Sequence, residues 1–507
     1  MSMTTHPVSV FPAISSQGNP PGLSWISLCT CARTLARALN DRRPPLPPSI
    51  RDFETWAPLL ALLWAGDQEG LASPGGHVAG HVGRRGFGWG VPPEQRLPLS
   101  GGALRVVAAQ IGFDPMAWVQ EALADAGMDG ISFVVEFSKG GRAVLHLLEF
   151  GPAVEVTAGG IGLGSLVLVE GAVPEPWRRL PAPVRRARPA ASMDLALLER
   201  TLRERLPDAI GATEAEIAAA ESRLGLTLPG ELKALYRVTR ARWEDWGDDH
   251  SAAERVSSAV GCYPLPLDQL HIADVPSRPC PWLYAATEAA VTPAGTAVQG
   301  LVGSPGWIVF GGNGGGDRVA IDLTPGPRGN MGQVIMINHD ENVGADLLAR
   351  SLTALVMRTR TRRSDGRRTE LPAVARVNRG ALRSVAAAAD PDLEVLSIGV
   401  WEGEPLSLAP VVGLPRLRTL TAYPGTLADP LEVTGLTGLE FLELGPNEWR
   451  VLLGADAVPR TLLAAAVGDH DGRNPLQVVA VANEILALWD RPPITETILE
   501  GDVSDAL

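Results

Sequence analysis

The sequence predicts an α+β protein of several domains. Three observations point there. Its 507 residues exceed one ordinary core and set a prior of about three domains. Segments with helical spacing of apolar residues are interleaved with short β-rich runs. Two stretches rich in Pro and Arg interrupt the pattern, at 175–192 and 358–370. The expected organisation is a mostly disordered segment 1–50, an α+β domain 51–174, a linker 175–192, a second α+β domain 193–357, a linker 358–370, and a repetitive segment 371–507 that ends in a helix and an acidic tail.

Composition narrows the function classes. Apolar residues make up 45% and charged residues 20%, as in globular proteins, while 55 Gly and 43 Pro imply many turns. The net charge of −13 disfavours phosphate backbones and favours a basic partner. The lysines, Lys139 and Lys233, follow Ser138 and Leu232, so there is no P-loop; HExxH, GxSxG and CxxC are also missing. Cys29, Cys31, Cys262 and Cys280 do not make a disulfide framework, and the default compartment is a reducing cytoplasm. Cys29 and Cys31 lack the further ligands a metal site needs. The first charged residue is Arg33, so the start lacks a signal peptide's basic region. No apolar run reaches the ~18–20 residues of a spanning helix. Neither a cofactor nor a metal is expected.

In the first domain, TWAPLLALLWAG reads as a buried helix, and Met116–Gly127 as a second with Trp118, Val119, Ala122 and Leu123 on one face. ISFVVEFSKGGRAVLHLLEF reads as a hairpin turning at Lys139–Arg142, followed by strands Ala153–Val156 and Ser165–Val169. GGHVAGHVGRRG is glycine-rich and reads as a loop carrying His77 and His81.

The second domain opens with a capping box, Thr213 and Glu216. Ile217, Ala220 and Leu224 then share a face and Gly225 supplies the stop. Pro229 starts another helix that buries Leu232, Leu235 and Tyr236. WIVFGG, DRVAIDL and QVIMINHD are strands, and ADLLARSLTALV reads as a closing helix. Gly314, Gly315 and Gly316 form a structural turn rather than a phosphate cradle, since a strand and not a helix follows. Asp317 is expected to hydrogen-bond that turn. Asp317 and Asp322 alternate along the next strand and do not share a metal.

These pieces, ATEAEIAAAESRLGLTLPGELKALYRVT (212–239), GWIVFGGNGGGDRVAIDLTPGPRGNMGQVIMINHDEN (306–342) and the closing helix, resemble the SUKH superfamily. This is the family of yeast cell-wall assembly and killer-toxin-resistance regulators and of bacterial immunity proteins. The resemblance implies a SUKH-like α+β fold and protein binding without catalysis. In bacteria the implied partner is a toxin; in the yeast relatives it is signalling machinery. The sequence departs from the family after Thr239, where ARWEDWGDDHSAAERVSS replaces an Asn-Gly-rich turn. That insertion supplies the candidate binding residues Trp243, Glu244, Asp245, Trp246, Asp248 and Asp249. Tryptophans anchor interfaces and carboxylates steer a basic partner.

In the last segment Leu393, Leu396 and Ile398, then Leu417, Leu420 and Ala422, then Leu439, Leu442 and Leu444 repeat at spacings of 24 and 22, as in leucine-rich repeats. A capping helix from Pro475 through Trp489 should bury Val478, Val481, Ile485 and Trp489. The tail from Glu496 reads as loose.

The sequence therefore predicts a non-catalytic, cytoplasmic protein-binding module of immunity or regulatory type, which occludes a protein partner such as a basic toxin and binds neither nucleic acid nor membrane. The alternatives are an enzyme whose site lies among His77, His81, His146 and Glu149, or a scaffold binding through the repeats.

Overall fold

The computed structural model describes residues 46–84, 86–90, 115–156, 165–184, 187–246, 249–358, 372–468 and 475–503, without the side chains of Trp89 and Trp246. Cys29, Cys31, Asp248 and most of the second Arg-rich stretch lie outside them. The chain divides into two units, Met1–Pro48 and Ser49–Leu507, and the helices and strands given below all belong to the second.

The first domain starts with helix α1 (Phe53–Gly66), capped by Asp52. Strands β1 (His77–Gly83) and β2 (Gly86–Gly90) follow, then α2 (Ala117–Asp125), β3 (Gly130–Phe137), β4 (Arg142–Glu149), β5 (Val154–Val156) and β6 (Ser165–Val169). The glycine-rich stretch expected as a loop is thus strand β1. Its Val78, Ala79 and Val82 are buried, and neighbours on both sides satisfy its backbone. Trp118, expected on the buried face of α2, is 49% exposed, while Val119, Ala122 and Leu123 are buried.

The middle domain contains α3 (Leu195–Arg205), α4 (Glu214–Leu224), α5 (Gly230–Val238), α6 (His250–Val260), β7 (Tyr263–Pro264), β8 (His271–Ile272), α7 (Trp282–Ala285), β9 (Trp307–Gly312), β10 (Arg318–Asp322), β11 (Gln333–Ile337), β12 (Asp346–Ala349) and α8 (Leu352–Val356). Thr213 and Glu216 cap α4 reciprocally, and Gly225 ends it at φ 68°. The stretch read as one closing helix is instead strand β12 followed by a short helix. Val334 pairs with Ala349, and the Ser351 side chain caps α8.

The last segment supplies β13 (Val374–Val377), β14 (Val395–Ile398), β15 (Thr419–Ala422), β16 (Phe441–Leu444), α9 (Pro446–Gly454), β17 (Ala464–Gly468), α10 (Pro475–Leu488) and β18 (Thr495–Asp502). Strands β13 to β17 are parallel neighbours. Val395 lies opposite Thr419 and Thr419 opposite Phe441, so paired positions are 24 and 22 residues apart.

The three sheets do not follow the three sequence segments. One runs β18-β4-β3-β1-β2, another β12-β11-β10-β9-β7, and the third β13-β14-β15-β16-β17-β6-β5. The tail read as loose is β18, paired antiparallel with β4 from Thr495↔Glu149 to Asp502↔Arg142. In exchange, β6 of the first domain pairs antiparallel with β17. A single buried cluster consequently runs from Ala79, Val134 and Leu148 through Val481 and Ile485 to Leu396, Leu420 and Leu442.

The stretch 175–192, read as a linker, is packed where it is described. Trp177 is 8% exposed, sits with Ala285 and Val302, and donates its indole N–H to Arg278 O at 2.8 Å. Arg178 pairs with Glu440 at 2.6 Å. Arg179 reaches Glu175, Glu394 and the Ala290 carbonyl. Arg178 and Arg179 thus reach acceptors in distant segments, which composition does not reveal.

Candidate functional site

The candidate site lies where the middle domain departs from its expected pattern. After α5, Ala241 takes φ 54°, steadied by its amide's hydrogen bond to Thr239 Oγ1 at 3.3 Å. Residues 243–246 form one 3₁₀ turn, and α6 follows. The Asp249 side chain caps α6 through the Ser251 amide at 2.8 Å. Gly261 ends it at φ 96°, and Tyr263 then enters β7 at the sheet edge.

Two of the expected binding carboxylates are turned to structural work. Asp245 accepts a fork from Arg240 at 2.7 and 2.6 Å and is held below the usual carboxylate range by it. Asp249 is likewise lowered by its bonds to Ser251 and also faces Arg255 at 3.6 Å. Trp243 is 40% exposed and meets the His250 ring edge-on at 5.0 Å between centroids. Glu244 is exposed. Asp248 and the Trp246 side chain are outside the described residues.

The sequence did not bring out the other wall. Trp243, Glu244 and His250 border an open groove of about 710 Å³ with Glu254, Tyr263 and Asp268. Tyr263 is 43% exposed. A Cβ built on Gly314 would come within 3.1 Å of the Tyr263 ring, so the glycine turn abuts the aromatic wall. Within the turn, Asn313 Oδ1 receives the Gly315 and Asp317 amides at 2.7 and 3.2 Å. Asp317 therefore holds the turn through Asn313 Nδ2, at 2.6 Å, and ties it to His339 Nδ1 at 2.7 Å. The Asn-to-Asp spacing of this loop was the signal available in sequence.

The groups of the enzyme alternative are engaged locally. By register and alternation His77, His81 and His146 share one face of the first sheet, and Glu149 falls on the other. His77 Nδ1 lies 3.0 Å from Gly75 O, His81 Nδ1 3.1 Å from Ser132 Oγ, and His146 Nδ1 2.5 Å from Glu496 Oε1. Glu149 receives the Thr495 hydroxyl at 3.4 Å. Burial lowers the His81 pKa. Along a strand, His77 and His81 are about 13 Å apart, too far to share an ion. No cluster of three potential metal ligands occurs among the described residues.

The repeat face is partly occupied from within. Trp282 stacks on Phe441 at 6.2 Å, and Ala286 packs with Ala464 and Ala466. Thr419 Oγ1 donates to Ala286 O at 2.7 Å. The middle domain is thereby seated on the strands a repeat scaffold would offer to a partner.

Residues 211–358 match the SMI1 / KNR4 family (SUKH-1). The match spans α4 to α8 and contains the groove, the glycine turn and Asp322. The SUKH-1 family is non-enzymatic, and the match is consistent with an immunity or regulatory module that interacts with proteins. No curated protein matches the chain. No described helix is long and apolar enough to cross a membrane.

Proposed function

We propose that this protein is a non-catalytic binding module of the cytoplasm whose SUKH-1 region occludes a surface of a basic protein partner, a toxin being the partner type that fits an immunity role. The observation that carries this reading is the groove beside α6. Exposed aromatic surface and carboxylates share one concavity there, while one face of the same domain is covered by the repeat strands. Aromatic anchors within a polar rim are the usual anatomy of a hot spot.

The test is a partner captured from the native cell, purified, and titrated against the full chain. A one-to-one complex that Trp243→Ala weakens by about 2 kcal/mol or more supports the reading. Neutralising Glu244, Glu254 and Asp268 should slow association and flatten its salt dependence, because rim charges act on encounter. A complex indifferent to all four changes places the binding surface elsewhere.

A further inference from the structure

The groove carries more than a general surface. Three aromatic rings line it, from Trp243, His250 and Tyr263, and they come from three consecutive elements: the 3₁₀ turn, the start of α6 and β7. Three carboxylates share the same lining, Glu244, Glu254 and Asp268. None of the three has an ion-pair partner among the described residues. Arg242 also lines the groove, but its guanidinium is drawn to Glu216 at 3.2 Å and forms no ion pair with the three carboxylates. By contrast Asp245 is saturated by Arg240. The domain thus neutralises the carboxylate it uses for folding, keeps Glu244 within reach of the Arg240 charge, and leaves Glu254 and Asp268 without an ion pair beside aromatic faces.

Such a lining suits one kind of occupant. An aromatic face attracts a cation within about 6 Å of its centroid, and nearby carboxylates add Coulomb attraction without having to be desolvated themselves. An anion would meet three negative charges, and a purely apolar side chain would strand them.

We propose that the groove takes an arginine side chain from a surface segment of the partner protein, its guanidinium lying against the Trp243 and Tyr263 rings and facing Glu254 and Asp268. This rests on the groove being the partner site. Arginine is favoured over lysine because a planar guanidinium both stacks on a ring and offers forked donors to carboxylates.

The experiment uses the full chain labelled with 5-fluorotryptophan. Trp243→Phe identifies the Trp243 resonance among the 13 tryptophans by its disappearance. The probes are acetyl-Gly-Arg-Gly-amide and its citrulline counterpart, which keeps the shape and loses the charge. The expected result is a saturable shift of the Trp243 resonance with the arginine peptide, at least about tenfold tighter than with citrulline. The shift should weaken in Glu254→Gln/Asp268→Asn and in Tyr263→Leu, while the resonance of Trp118, exposed on another domain, stays still. No shift, an equal shift with citrulline, or a shift unaltered by all these variants overturns the assignment. If a partner binds through the groove and the arginine peptide does not, this inference fails alone. If the peptide binds and no partner uses the groove, the occlusion reading fails and with it the partner as source of the arginine, while the groove's arginine-binding chemistry stands.

Discussion

Arg418 and Glu394 meet at 3.4 Å with side chains only 8% and 3% exposed, at the junction of the repeat strands and the middle domain. Arg418 also donates to the Ala286 and Glu288 carbonyls of the middle domain. Glu394 further pairs with Arg179 at 2.8 Å, and Glu175 lies 3.6 Å from Arg418 Nε. Burial lowers the Arg418 pKa, and Glu394 and Glu175 work against that shift. Breaking a buried pair strands a charge. Glu394→Ala should therefore cost about 3–5 kcal/mol in denaturant unfolding, and Arg418→Met/Glu394→Met less than the two single changes summed. A single-change cost under about 1 kcal/mol would contradict this.

Asp322 is fully buried and accepts from Trp307 Nε1 at 3.1 Å, the Thr324 amide at 2.8 Å and Gln333 Nε2 at 2.8 Å. Burial outweighs those bonds and raises its pKa to about 6. The folded state thus binds this proton more tightly than the unfolded state. Stability from this group is greatest below pH ~4, falls through pH 4–6, and is lower by about 3 kcal/mol at pH 7. Asp322→Asn should remove that slope from urea midpoints measured between about pH 4 and 7.5. It should also destabilise the acid end by about 1–3 kcal/mol. The reason is geometric: the new NH₂ meets Gln333 Nε2, whose amide is fixed by Ala297 O and the Asn330 N–H.

His339 and Asp317 form the tie between the glycine turn and β11. The Asp317 carboxylate raises the His339 pKa, and the His339 ring and amide lower that of Asp317. The Asp317 contribution is present above its unfolded pKa and fades as pH falls through the folded value. The His339 contribution is present below its unfolded pKa and fades as pH rises through the folded value. NMR titration should place His339 above the ordinary histidine value and return it towards that value in Asp317→Asn. An unchanged His339 titration would rule out the tie.

Strand β18 docks with Gly501 under the ring of Phe53, leaving no room for a Cβ. Its side chains add the His146–Glu496 and Arg142–Glu500 pairs. Gly501→Leu should lift the strand and expose the β4 edge, whose unpaired backbone invites association. Limited proteolysis with a glutamate-specific protease should then cut at Glu496 or Glu500 faster than in the native chain. Equal cleavage rates would show that the strand docks without this contact.

Local chemistry was legible in the sequence. The Thr213–Glu216 box, the Gly225 stop, the hairpin from Gly130 to Glu149 and the 24- and 22-residue spacings depend on neighbours within a few turns or on a repeating period. Those signals survive without knowledge of what lies across the molecule. Tertiary structure decided the rest. His77–Gly83 is a strand because β2 and β3 flank it, despite its glycines. Residues 495–502 are ordered because β4 has an open edge, and β6 joins the repeats because β17 does. The groove belongs to the same class. The sequence placed Trp243 and Glu244 in it but could not bring up Tyr263, Glu254 and Asp268, nor assign Asp245 to Arg240 and Asp249 to a helix cap. A side chain's role depends on which backbone edges and opposite charges reach it in space, and long-range pairing fixes those after local spacing has fixed the elements.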